Sequence, residues 1–104
     1  MARLGEAIAG RFLEKRGGRV IDRNRRVGRH EIDLVVEMDG MLVAVEVKTR
    51  RSADPSLNPL ERIDASKLAS LHEAAAALRC SRIDAVGVTA SEFGVRVRWF
   101  PDIG

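Results

Sequence analysis

The stretch HEIDLVVEMDGMLVAVEVKTR, residues 30–50, sets two acids and a lysine among valines, leucines and alanines. Glu31–Glu37 and Met41–Lys48 are β-branched and apolar, and Asp39-Gly40 separates them. Such a pair between two such runs predicts a β-hairpin closed by a two-residue turn. Met38 then faces Met41, Asp33 faces Glu46 and Glu31 faces Lys48. Side chains alternate between the two faces of a strand, so Glu31, Asp33, Glu46 and Lys48 are expected on one face. Directly opposed Cβ atoms lie about 4.5–5.5 Å apart. A three-residue turn would slip the register and send Asp33 to the other face.

Two carboxylates at that spacing repel each other, and partial burial adds a desolvation cost. A shared proton, a neighbouring base such as Lys48, or a bound divalent cation would each offset it. Carboxylate oxygens suit hard ions, so the cation reading points to Mg²⁺ or Mn²⁺. A cation held by two acids beside a lysine can polarise a phosphate and position a water. The plainer alternative is an exposed sheet face carrying a Glu31–Lys48 ion pair.

Working outward, Leu4 to Arg16 reads as a helix with two stripes at helical spacing. Leu4, Ile8 and Phe12 form one. Glu6, Ala9, Gly10 and Leu13 form the other, whose small residues allow close approach of another backbone and turn Glu6 toward the sheet. The alternative for Glu6 is an exposed acid near the helix N-terminus. Gly17-Gly18 ends the helix, and Arg19 to about Arg23 is a short strand. Residues 50–63 contain Pro55 and Pro59 and read as a loop. Asp64 caps a second helix running to about Leu78, with Leu68, Leu71, Ala74, Ala75 and Leu78 on its apolar face. Lys67 shares that face, where a lysine either snorkels or reaches an anion. Arg82–Thr89 is a buried strand. Gly94–Phe100 alternates valines and Trp99 with arginines, so it is a half-exposed strand. The order is helix, three strands, helix, two strands.

The 104 residues suit one domain, and 45% hydrophobic content suits a globular core. No apolar run approaches the roughly 20 residues that cross a bilayer, so no membrane association is expected. Glu6 follows the start too closely for a secretory signal, and a cytoplasmic protein is the expectation. The lone Cys80 excludes an internal disulfide and reads as a small hydrophobe; His30 and His72 do not suggest a histidine-based site. Net charge is +3, but residues 11–29 hold eight bases against two acids. That segment is +6 and leaves −3 for the rest. It includes Arg25 and Arg26, and it is either a polyanion-binding face or a solvated surface. Arg50 and Arg51, directly after the second hairpin strand, either contact phosphates or end the strand. With four aromatics not interleaved with bases, stacking on single strands is poorly supported.

Asp33, twelve intervening residues, then Glu46-Val47-Lys48 resembles the PD-(D/E)xK signature of restriction-endonuclease-like nucleases, with Ile32 in the place of the proline. Gly5-Glu6, Arg23-Asn24, Glu31-Ile32-Asp33-Leu34, Val45 through Arg50, and Lys67 look like the bacterial YraN family. His30 departs from the glycine usual there. The resemblance implies an α/β, restriction-endonuclease-like three-layer fold, a mixed β-sheet flanked by helices, akin to Holliday-junction resolvases. It implies a Mg²⁺-dependent (or Mn²⁺-dependent) nuclease. Asp33, Glu46 and the carbonyl of Val47 would hold the metal, Lys48 would orient or activate water, and Glu6 would complete the acidic cluster. Lys67, Arg50, Arg51, Arg25 and Arg26 would meet the substrate, with DNA favoured over RNA and branched or damaged DNA over a defined sequence. The rivals are a non-catalytic nucleic-acid-binding module, and an interaction protein whose strand 94–100 pairs with a partner or as a homodimer.

Overall fold

A computed structural model of the chain describes residues 2–51 and 63–104. The elements are α1 (Ala2–Glu14), β1 (Arg19–Val27), β2 (His30–Met38), β3 (Met41–Arg51), α2 (Ala65–Ala77), β4 (Arg82–Ser91) and β5 (Gly94–Phe100). The strands form one mixed sheet in chain order, antiparallel except for β3 beside β4. Parallel neighbours need a crossover, and α2 lies within it. Together the two helices and the sheet make the three layers of a restriction-endonuclease-like fold. No described helix is long and apolar enough to cross a membrane.

The hairpin forms in the expected register. Met38 pairs with Met41 and Leu34 with Val45, around Asp39 at φ 50° and Gly40 at φ 77°. Its valines are buried because each sheet face is covered. Ala9 and Leu13 of α1 pack with Leu34, Val36, Val43, Val45, Val47, Val86 and Val88. Leu71, Ala74 and Ala75 of α2 pack with Ile32, Val35, Ala44 and Ile83. A strand buried on both sides reads as a continuous apolar run, as β3 and β4 do.

Helix α1 turns its small-residue stripe inward, while Leu4 of the other stripe is 61% exposed. Gly5 is what lets it come so close, because a Cβ there would collide with the Thr49 side chain of β3. The helix ends in a Schellman arrangement. The Gly18 amide donates to Leu13 O and the Gly17 amide to Glu14 O, with Gly17 at φ 92°. Gly5→Val should therefore destabilise the protein by about 1–3 kcal/mol through overpacking. Urea denaturation should show the loss, and Thr49→Ala in the same chain should recover part of it. An unchanged midpoint would mean that α1 does not need this contact.

Four expectations need correction. Strand β1 continues to Val27, four residues past its expected end, because it pairs with β2 as far as Val27–His30 across a second tight turn with Gly28 at φ 59°. Arginines on this edge strand mask its alternation. Strand β3 likewise runs on through Arg50 and Arg51, held by its parallel ladder to β4, so the loop does not begin at residue 50. The remainder of that loop, residues 52–62, lies outside the described residues. The other two corrections concern the hairpin charges. The β2–β3 ladder ends at Leu34–Val45, so Asp33–Glu46 and Glu31–Lys48 are not ladder pairs, and Glu31 instead stands opposite Arg26 of β1. Nor do the four residues share one regular face: Ile32 and Val35, an odd distance apart, both pack toward α2, so alternation breaks around Asp33.

Candidate active site

The break in the ladder builds the site. Asp33 turns its carboxyl across the gap, and its Oδ2 accepts the Val47 amide at 2.8 Å. A continued ladder would have given that amide to the β2 backbone. Asp33 thereby comes close enough to Glu46 for a proton on its carboxyl to be hydrogen-bonded between the two. Burial, that hydrogen bond and the Glu46 charge push the Asp33 carboxyl from 3.8 up to about 8; the Val47 amide pulls it down, and the Glu6 charge adds a smaller upward push. At neutral pH Asp33 holds a proton that it can donate to Glu46. A shared proton is thus one answer to the repulsion between the two acids.

A second answer comes from α2. Lys67 Nζ lies 3.1 Å from Glu46 Oε2. The Asp64 side chain caps this helix and accepts the Lys67 amide at 2.8 Å, which fixes the turn from which the ammonium reaches in. Glu46 is 4% exposed. Although the ion pair is close, its alignment is not that of a hydrogen bond, and Oε2 remains a buried acceptor with no hydrogen-bond donor.

Glu6 arrives from α1, held by its own partner: Asn24 Nδ2 donates to Glu6 Oε1 at 2.8 Å. Asn24 sits inside β1 at φ 50°, a left-handed conformation that asparagine tolerates better than most residues. Ala44 packs toward α2, so alternation along β3 places Glu46, Lys48 and Arg50 on that same side. Lys48 is half-buried and makes no ion pair with Glu31 among the described residues. Arg50 has a buried Nε without a hydrogen bond, and Arg51 is exposed. Arg25 and Arg26 are exposed on β1, and Arg25 pairs with Asp22 at 3.6 Å. His30 Nε2 lies 3.0 Å from Glu73 Oε2 of α2, so its ring is directed to that helix.

The residues expected at the site thus divide. Asp33, Glu46 and Lys67 come together, Glu6 acts on Asp33 only through its charge from the α1 side, Lys48 and Arg50 stand on the Glu46 side of β3, and Arg25 and Arg26 lie on the edge strand. No three His, Cys, Asp or Glu side chains among the described residues form a ready metal cage. The groups that could hold an ion are the carboxylates of Asp33 and Glu46, with the Val47 carbonyl as the expected third oxygen. Mg²⁺ commonly takes one or two carboxylates, keeps several waters and shares the substrate phosphate, so this set fits it. Glu46 Oε2, paired with the Lys67 ammonium but without an aligned hydrogen bond, is the oxygen such an ion would share.

Residue-by-residue reading missed Asn24 as a partner and Asp84 altogether. Asp84 is fully buried in β4. Its Oδ1 accepts Arg82 Nε at 2.8 Å and the Asp102 amide at 2.9 Å, and its Oδ2 accepts Arg82 Nη2 and Trp99 Nε1, each at 2.9 Å. One weak signal existed: an acid inside the apolar strand RIDAVGV, two residues after an arginine on the same face.

Comparison with known proteins places these residues in context. The profile of the uncharacterised protein family UPF0102 matches residues 5–88. A UPF0102 protein of Paenarthrobacter aurescens is 50% identical over 72 residues, covering 69% of this chain and 59% of that protein. Another from an Arthrobacter species is 40% identical over 96 residues, covering 85% and 80%. A third, from Anaeromyxobacter dehalogenans, is 35% identical over 108 residues, covering 97% and 81%. Among solved structures, Pyrococcus furiosus SfsA in complex with Ca²⁺ matches at 19% identity and a TM-score of 0.45, covering 98% of this chain and 64% of that one.

Proposed function

This chain belongs to the uncharacterised protein family UPF0102, and we propose that it is a divalent-metal-dependent nuclease that hydrolyses DNA phosphodiester bonds. The observation that carries the reading is the opened ladder, where the Asp33 carboxyl meets buried Glu46 one residue before Val47 and two before Lys48. Asp33, Glu46 and the Val47 carbonyl would hold Mg²⁺ or Mn²⁺. Such an ion, when bound, polarises the scissile phosphate and offsets developing charge.

The chain's own residues supply the rest. Lys48 orients the attacking water and carries positive charge beside the reacting phosphate. Asp33 gives up its proton before it can serve as an anionic ligand, so metal uptake strengthens as pH rises through about 8. Asn24 holds the Glu6 carboxylate in place on the α1 side, from which its charge acts on Asp33. Arg25, Arg26, Arg50 and Arg51 hold the phosphate backbone, a contact that weakens with salt and reads little sequence. A branched or damaged duplex fits better than a defined site, because both described helices pack against the sheet and neither is set out for a major groove.

A cleavage panel over linear, single-stranded, flapped and four-way DNA, with Mg²⁺ or Mn²⁺, tests the reading. The intact chain should cut at least one substrate, and Lys48→Ala should cut it about 10²–10³-fold more slowly. Equal cutting by both proteins would defeat the mechanism. Salt-sensitive DNA binding with no cleavage would favour the binding module instead.

A further inference from the structure

We propose that Lys67 is an internal counter-ion that occupies the acidic pair in the metal-free protein and is displaced when the divalent ion binds, which frees its ammonium for a substrate phosphate. The inference rests on the metal-dependent reading above and adds a residue exchange to it. Its first ground is position: Lys67 Nζ is 3.1 Å from Glu46 Oε2, the atom that a cation would also need. The second is the quality of that contact. The Glu46 side chain is 6% exposed and Oε2 receives no aligned hydrogen bond, so the contact is charge pairing alone, which a divalent ion at the same oxygen can replace. The third is freedom to leave. The Lys67 side chain is 39% exposed, and its flexible four-carbon stem can swing a strongly hydrated charge back to water. Its backbone, by contrast, is tied by the Asp64 cap, so the side chain departs without moving the helix.

A divalent ion on Glu46 and the ammonium on the same oxygen would stand as like charges at contact distance, beside a carboxylate that water barely reaches. Both cannot stay. The displaced ammonium remains tethered at the rim, on the side shared with Lys48 and Arg50. A phosphate entering that side meets a lysine freed by the same event that loads the metal. Coupling of this kind is reciprocal: whatever Lys67 costs the metal, the metal costs the Lys67–Glu46 pair.

Calorimetric titration of Mn²⁺ alone into the full chain, Lys67→Met, Lys67→Arg and Glu46→Gln tests the exchange without any cleavage. Lys67→Met should bind Mn²⁺ about tenfold more tightly than the unmodified chain, Lys67→Arg should stay within about threefold of it, and Glu46→Gln should lose binding. Lysine side-chain NMR gives a readout that needs no substitution. The chain has three lysines, Lys15, Lys48 and Lys67, so three ε-methylene signals report separately. Addition of Ca²⁺ should move the Lys67 signal toward that of a solvated lysine. Equal or weaker Mn²⁺ binding by Lys67→Met, with an unmoved Lys67 signal, overturns the exchange and leaves the metal site standing. Absence of Mn²⁺ binding by both the unmodified chain and Lys67→Met overturns the metal site itself.

Discussion

Asp33→Asn is expected to raise the melting temperature of the metal-free protein at pH 8 and to abolish its response to Mn²⁺. The sign follows from the Asp33 proton. Its carboxyl is held up to about 8 in the folded chain, against 3.8 ordinarily. Between those values the folded state binds more protons than the unfolded one, so stability falls as pH rises from about 4 to about 8. Asparagine keeps an oxygen for the Val47 amide, gains an N–H for Glu46 and carries no charge. The gain at pH 8 should be roughly 1–2 kcal/mol, discounted for the water that still reaches the carboxyl, or about 5–15 °C in melting temperature. Near pH 4 the two proteins should melt together. Saturating Mn²⁺ at 100 times its Kd adds about 2.7 kcal/mol to a protein that binds it. The unmodified chain should show this and Asp33→Asn should not, with cleavage lost alongside. A flat melting temperature across pH 4–8 in the unmodified chain, or equal stabilisation of both by Mn²⁺, would contradict the account. The residue thus trades stability of the empty protein for a ligand position, the usual cost of crowding like charges in a site.

The second large effect lies away from the acids. Asp84→Ala should cost about 2–4 kcal/mol, because it removes at once the buried acceptor of a half-buried guanidinium and of two N–H groups. Domains of this kind are typically stable by about 5–15 kcal/mol, so the variant should be largely unfolded at moderate urea. Trp99 is the sole tryptophan and donates to Asp84, so its fluorescence reports the loss directly. A midpoint within about 1 kcal/mol of the unmodified chain would show the network to be dispensable. What Asp84 secures is the far side of the sheet. It ties β4 to Trp99 of β5 and to the Asp102 amide, while the Ile103 amide donates to Ile83 O at 2.8 Å. Strand β4 in turn backs β3 along its length, including Glu46 opposite Ala85 and Lys48 opposite Gly87. The acidic pair therefore stands on a strand braced by a buried charge network on its neighbour.

The hairpin, both helices and the element order were legible because short-range rules encode them. Asp39-Gly40 sets the turn, Gly17-Gly18 stops α1 and Asp64 starts α2, each through contacts within a few residues. The apolar period picks out the buried faces: Leu71, Ala74 and Ala75 on α2, and valines at alternate positions of β3. Lys67 could be placed on the apolar side of its helix, but whether it snorkelled or met an anion could not be told from spacing. The same rules cut β1 short, where arginines of an exposed edge hide the half of the strand beyond Arg23 that exists by pairing. They failed again at Arg50 and Arg51, which a parallel ladder to residues far along the chain holds extended.

Local periodicity, turn chemistry and caps were therefore enough to lay out the order of elements, the hairpin register and the residues that could bear charge near one another. They act through neighbours in the chain, and a sequence displays its neighbours. The opening of the ladder at Asp33, the grip of Asn24 on Glu6 across 18 positions, the reach of Lys67 to Glu46 and the buried network of Asp84 came from the folded chain alone. Each depends on which helix face meets which strand and at what height, a matter of packing between distant segments that no repeating pattern of residues records.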